Sequence, residues 1–269
     1  MDPIARHHVT ITGRTDGPTL VFAHGFGCDQ SIWNQVAPAF EATHRVVRFD
    51  HAGSGHSDRT AFDHQRHATL DGYADDLVEL AAALDLDGAV FIGHSIGSAI
   101  GLLASVRAPG RFSRLVLVGG SARYLDDGHY RGGFTMADID GVLAAIDDNY
   151  LGWSAQMAPA IMGNPDRPEL GDELHDRLVQ LDPEVARTFA RATFLADVRG
   201  VLAQVTIPTL ILHCTDDAIV PDAAAHHLRD HLPDSTFVHL EATGHCPLLS
   251  APEQIVSVLD GVVASTAQV

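Results

Sequence analysis

The chain predicts an α/β fold: a doubly wound, mostly parallel sheet with a four-helix lid inserted after the half that bears the nucleophile. Three observations predict it. Short runs that are apolar throughout recur along the 269 residues, as strands covered on both faces require. Helical patterns fill the spaces between these runs. The alternation then breaks between about Tyr124 and Asp197, where helical patterns follow one another with no strand among them.

Thr19–Ala23 opens the strand series and Arg45–Phe49 continues it. Leu70 to Leu84 reads as a helix. Ala89–Ile92 is a strand, Ile96 to Arg107 a helix rich in small residues, and Leu115–Val118 the next strand. The first helix of the insertion spans Ala137 to Leu151, with Ile139, Val142, Leu143, Ile146 and Tyr150 at helical spacing. The second spans Trp153 to Met162, bent or shortened by Pro159. Beyond a loop at Asn164–Pro168, the third covers about Glu169 to Val179. The fourth starts at Asp182-Pro183-Glu184, an N-cap followed by proline at the first helical position, and runs to about Ala196. Strands Thr209–His213 and Phe237–Leu240 follow. Residues 1–124 and 198–269 are thus expected to form the core. Residues 125–197 are expected to form a lid over the carboxyl edge of the sheet, where open α/β sheets bind ligands.

The formal net charge is −18, and every basic residue is an arginine. An acidic surface of this kind argues against nucleic acid or an anionic membrane as partner. Three scattered cysteines, Cys28, Cys214 and Cys246, make no disulfide framework and suit a reducing cytoplasm. The first ten residues carry no signal-peptide core, and no apolar run approaches the roughly 20 residues of a membrane span. The 17 histidines include His227 and His231 at helical spacing, His7-His8, and the His64/His67 pair. None sits in an H-E-x-x-H pattern or beside a carboxylate at ligand spacing, so no metal and no cofactor are expected. Asp50–Ser57 resembles a phosphate loop, but Asp58 stands where G-x-G-x-x-G needs glycine.

Gly93-His94-Ser95-Ile96-Gly97 lies between a strand and a helix, the setting of a nucleophile elbow. A plain glycine-rich turn is the competing reading, and the residues elsewhere weigh against it. A serine nucleophile needs a base within hydrogen-bond reach and a third group to orient that base. Gly244-His245 follows the last strand, where a loop brings an imidazole over Ser95. The acid is Asp216 or Asp217, just after the strand ending at His213. The other place for an acid, after Leu115–Val118, holds Gly119-Gly120-Ser121 and no carboxylate. An oxyanion needs two donors. The Ile96 N–H, at a helix N-terminus, is one. The Phe26 N–H, in the loop His24-Gly25-Phe26-Gly27, is the other.

These segments resemble the α/β-hydrolase superfamily, and more closely its RsbQ-like group. That group includes a bacterial energy-stress regulator and the plant karrikin and strigolactone receptors. The resemblance covers nearly the whole chain. It rests on His24–Trp33, Gly93–Gly97, Tyr124–Asp127, Gly132–Phe134, Asn149–Trp153, Asn164–Glu169 and Gly244–Pro247. In related hydrolases the acid loop commonly reads G-x-x-D-x-x-V-P. Cys214–Pro221 aligns with it when Asp217 is the acid and Cys214 replaces the glycine. The resemblance implies a Ser95/Asp217/His245 triad beneath a V-shaped four-helix lid. It also implies an apolar pocket for a small hydrophobic ligand, lined by Phe26, Tyr124, Phe134, Trp153 and Phe194. Met157 stands where the group commonly has an aromatic, which softens the shape of the pocket. The implied activity is hydrolysis of a small ester or lactone. The alternatives are ligand sensing with slow hydrolysis, partnered by a PAS-containing serine phosphatase, and C–C bond hydrolysis.

Overall fold

The computed structural model describes residues 2–266 of the chain. The strands are β1 (Thr10–Gly13), β2 (Thr19–Ala23), β3 (Arg45–Arg48), β4 (Ala89–His94), β5 (Phe112–Val118), β6 (Thr209–Thr215) and β7 (Ser235–Thr243). They form one sheet in the order β1-β3-β2-β4-β5-β6-β7, parallel except for β1, which runs antiparallel to β3. All six residues of β4 are buried, as are the last four of both β2 and β5. That explains why these strands read as unbroken apolar runs. β1 carries no such run. Its residues alternate between half-buried and exposed, and Ile11 is its sole large apolar side chain, so the sequence pattern passes over it.

The chain runs from β2 outward to β3, then returns to place β4 on the other side of β2. The strand order therefore reverses between β2 and β4, and the crevice at their carboxyl ends is where such sheets hold ligands. The two loops singled out in the sequence, His24–Gly27 and the Ser95 turn, leave these same two strand ends.

Helices Leu70–Ala83 and Ile96–Arg107 pack against one another, and Pro252–Thr266 ends the described chain. Between β5 and β6 lies a helical insertion: Met136–Met162, Pro168–Leu178 and Pro183–Phe194. Thr135 and Asp138 form a capping box at its start. The first of these helices is broken close to the junction expected between Leu151 and Trp153, and Pro159 does not shorten it. The backbone leaves helical geometry at Asn149 (φ −151°, ψ 83°), while the helix runs on through Pro159. The Asn149 side chain accepts the Gly152 N–H at 2.9 Å, so it restarts the helix as an N-cap does. An antiparallel bridge between Arg123 and Asp197 joins the chain entering the insertion to the chain leaving it. Among the described residues, no helix is long and apolar enough to cross a membrane.

Candidate active site

Ser95 sits at φ 53°, ψ −123°, a conformation rare for any residue with a side chain. Holding it costs on the order of 1–3 kcal/mol, which the surrounding bonds must offset. The Ser95 N–H donates to the Val118 carbonyl of β5 at 2.8 Å, and Ser98 Oγ donates to the Gly93 carbonyl at 2.7 Å. The two motif glycines are steric requirements. A Cβ at Gly93 would lie 2.7 Å from the Gly97 backbone, and one at Gly97 would lie 2.7 Å from the His24 carbonyl oxygen.

His245 reaches over from the loop after β7. Its Nε2 lies 2.7 Å from Ser95 Oγ, and its Nδ1 lies 2.8 and 3.0 Å from the two oxygens of Asp217. Proton placement follows from the partners. Burial alone would raise the Asp217 pKa. The His245 ring and the Ile219 and Val220 amides outweigh it and hold the carboxyl below its ordinary value. An ionised carboxylate only accepts, so Nδ1 carries the proton and Nε2 is free to accept from the serine hydroxyl. The Asp217 side chain is 1% exposed and the His245 side chain 6%. Asp216 is exposed, with φ 50°, and takes no part in this chain of bonds.

The loop after β2 closes over the serine: a Cβ at Gly25 would lie 3.0 Å from Ser95 Cβ. The Phe26 and Ile96 amides make no hydrogen bond to another described residue. His94 is fully buried, and its Nε2 lies 2.9 Å from the His245 carbonyl. Burial first, and then the neighbouring His245, push its pKa down to about 3, so the ring is neutral. The insertion also grips this loop. The His245 N–H donates to the Ile161 carbonyl at 2.9 Å, and Asn164 Nδ2 donates to the Thr243 carbonyl at 3.0 Å.

Above Ser95 lies a cavity of about 60 Å³, several times the space that one water needs. Phe26, Tyr124, Phe134, Trp153, Met157 and Phe194 all line it, together with Ser95 and His245. Phe26 packs edge-on against Trp153, and Phe194 against both Tyr124 and Phe134. Val142, Leu174, Thr193 and Ile219 also line it, and the sequence did not single them out as pocket residues. Helical periodicity marks an apolar face but does not separate the residues that meet a cavity from those that meet other side chains. Cys28 and Cys246 face the cavity as well. Burial pushes the Cys28 thiol up to about 12 and the Cys246 thiol well above its ordinary value, so both stay protonated. Among the described residues, no group of three histidine, cysteine or carboxylate side chains is placed to hold a metal.

The switch-point crevice, the strained elbow and the helical insertion define an α/β hydrolase. A family model described as "Alpha/beta hydrolase family" matches residues 20–258, and the chain belongs to that family. Within it, the chain matches the RsbQ-like group that its motifs resemble. It is 38% identical over 253 residues, 94% of each chain, to "Strigolactone esterase D14" of Arabidopsis thaliana. It is 36% identical over 242 residues, 90% of this chain and 88% of the relative, to "Karrikin insensitive 2 receptor IA" of Petunia hybrida. Among solved structures, olei00960, a hydrolase from Oleispira antarctica, is similar with a TM-score of 0.94. It is 34% identical, over 98% of this chain and 96% of that one.

Proposed function

We propose that the protein is a serine hydrolase of a small hydrophobic ester or lactone. One observation carries the reading: the unbroken line of hydrogen bonds from Ser95 through His245 to Asp217, beneath an apolar cavity. His245 Nε2 takes the serine proton as Oγ attacks the acyl carbonyl, and Asp217 stabilises the imidazolium that forms. The Phe26 and Ile96 amides receive the oxyanion, an interaction whose loss costs about 10²–10³ in rate for each donor. His245 then returns the proton to the leaving alkoxide, which releases the alcohol and leaves the acyl group on Ser95. A water then attacks the acyl carbonyl as it gives a proton to His245, and His245 returns that proton to Ser95 Oγ as the acyl–serine bond breaks and the acid leaves. In this reading Phe26, Tyr124, Phe134, Trp153, Met157 and Phe194 bind the ligand. Residues 125–197 act as a lid on a core of 1–124 and 198–269. Three buried free thiols suit a reducing cytoplasm as the place of work.

The test is turnover of p-nitrophenyl acetate. Ser95→Ala is expected to lower kcat at least about 10³-fold. A rate equal to that of the unaltered protein overturns the assignment.

A second reading makes hydrolysis slow and signalling the purpose. Two observations favour it: a relative named as a receptor, and the bond from the His245 N–H to the Ile161 carbonyl, which ties the base to the insertion. A PAS-containing serine phosphatase is the partner for that reading. A phosphatase gene beside this one supports it, whereas a catabolic gene cluster supports metabolism.

A further inference from the structure

Asp50–Ser57 resembles a phosphate loop in sequence, and the reaction above gives it no part. In the fold it follows β3 and holds the loop after β2 at both ends. At the far end, the buried Asp50 carboxylate accepts the Gln30 N–H at 2.8 Å, and it closes its own turn on the His56 N–H at 2.9 Å. At the near end, two bonds join His51 to His24. The His51 N–H donates to His24 Nε2 at 3.0 Å, and His51 Nε2 lies 3.1 Å from the His24 carbonyl oxygen. Both residues are buried, and their rings stand edge-on with centroids 4.5 Å apart.

The partners fix where the protons lie. Burial lowers the pKa of both rings, so each is neutral, with one N–H and one bare nitrogen. A backbone N–H only donates, so His24 Nε2 is bare and the proton of that ring sits on Nδ1. His24 Nδ1 lies 2.8 Å from the Gly25 carbonyl oxygen and donates to it. A carbonyl only accepts, so the proton of the second ring sits on His51 Nε2. Two consecutive carbonyls, those of His24 and Gly25, are thus each held by an imidazole N–H. The Gly25 carbonyl and the Phe26 N–H belong to one planar trans peptide and point to opposite sides of it. Fixing that carbonyl on the His24 ring therefore fixes the direction of the Phe26 N–H, which makes no hydrogen bond to another described residue. The Phe26 side chain is held from the same side. Phe189 of the insertion packs edge-on against both the Phe26 ring, at 5.5 Å between centroids, and the His51 ring, at 6.1 Å.

We propose that His51 is a positioning residue for the oxyanion hole, acting through His24 on the peptide that carries the Phe26 N–H. His51 holds the His24 carbonyl, His24 holds the Gly25 carbonyl, and the Phe26 N–H is kept free for the oxyanion. This role rests on the hydrolase reading above and adds to it a residue that does not line the cavity. A donor aimed in advance acts where charge develops, so its direction matters in the transition state and little in substrate binding.

The test is p-nitrophenyl acetate hydrolysis, per folded molecule, by two variants. His51→Leu fills the space without a donor, and His51→Gln restores an amide N–H donor to the side chain. Misdirecting the Phe26 N–H is expected to cost part of the 10²–10³ that removing a donor costs. His51→Leu is therefore expected to lower kcat and kcat/KM together by about tenfold, with KM within about twofold. His51→Gln is expected to recover most of the rate. A purely structural role raises KM or slows both variants alike; either result overturns the proposal, as does an unchanged rate in His51→Leu. A second measurement needs neither turnover nor a variant: the imidazole ¹⁵N shifts of the unaltered protein at neutral pH. They are expected to show His24 protonated on Nδ1 and His51 on Nε2, and the other tautomer in either ring overturns the proposal. Ser95→Ala is assayed alongside. Loss of rate there with none in His51→Leu is failure of the proposal alone, whereas an unchanged rate in Ser95→Ala is failure of the hydrolase reading.

Discussion

His94 donates its Nε2–H to the backbone carbonyl of His245 across 2.9 Å, so the residue before the serine holds the residue that faces it. The direction is set by the carbonyl, which only accepts, and by the ring, which burial keeps neutral. The elbow and the base loop therefore share a bond that does not pass through the reacting groups. His94→Phe is expected to leave the His245 carbonyl unpaired and to lower stability by about 1–3 kcal/mol. It is also expected to lower kcat more than it raises KM, because the base loses its fixed position and the cavity keeps most of its wall. Urea unfolding and steady-state kinetics measure the two effects; an unchanged kcat would show that the bond does not position the base.

Asp217 and Asp216 are neighbours with opposite surroundings, one 1% exposed at the side chain and bonded to His245, the other exposed. Asp217→Asn puts a donor or a neutral acceptor where the imidazolium needs a charge, and is expected to reduce kcat by about 10³–10⁴. Asp216→Asn is expected to stay within about twofold. Larger loss at Asp216 than at Asp217 would reverse the assignment of the acid.

Gly244 precedes the base with φ 85°, and a Cβ there would overlap the Met162 carbonyl at the end of an insertion helix. Gly244→Ala must strain the backbone or push the helix end away. The expected loss is about 3 kcal/mol of stability, with ester hydrolysis reduced in the fraction that folds. Denaturant midpoints and specific activity of the folded protein check this together. A variant as stable and as active as the original would mean that the loop and the insertion part easily.

Buried histidines set the acid limit of the fold. The native pKa of His94 is about 3, against 6.5 for an unperturbed ring. His7, His24 and His51 are also lowered, in each case chiefly by burial. Below pH 6.5 the unfolded chain binds protons that the native state does not, so unfolding becomes easier as pH falls. The contribution is fully present above 6.5 and is lost progressively down toward the native values, by at most about 1.4 kcal/mol per pH unit for each such histidine. Urea unfolding at pH 7.5, 6.5 and 5.5 is expected to show stability falling over the last step. Equal stability at all three would contradict the burial of these rings.

The elbow and the alternation of strand and helix were legible because each is local: a strand, a tight turn and a helix lie within a few residues of one another. The order serine–acid–histidine was legible because the acid and the histidine each follow a recognisable strand. The six expected ligand-binding side chains come together in one cavity, although their spacing shows no more than apolar helix faces and loops. β1 was not legible, since two half-buried and two exposed residues leave no apolar pattern. The junction expected between Leu151 and Trp153 falls at Asn149, because a side-chain cap can restart a helix at a residue that carries no breaker signal, and the helix runs on through Pro159.

By itself the sequence determined the fold class and pointed to Ser95 and His245, because a strand-turn-helix and a loop after the last strand are each legible from a few neighbouring residues. Only the tertiary structure decided which aspartate turns inward, which side chains meet the cavity, and that the His51 ring meets the His24 carbonyl. Those facts depend on segments far apart in the chain coming within a few ångströms, and hydrogen-bond satisfaction is a property of the assembled surroundings rather than of the residue.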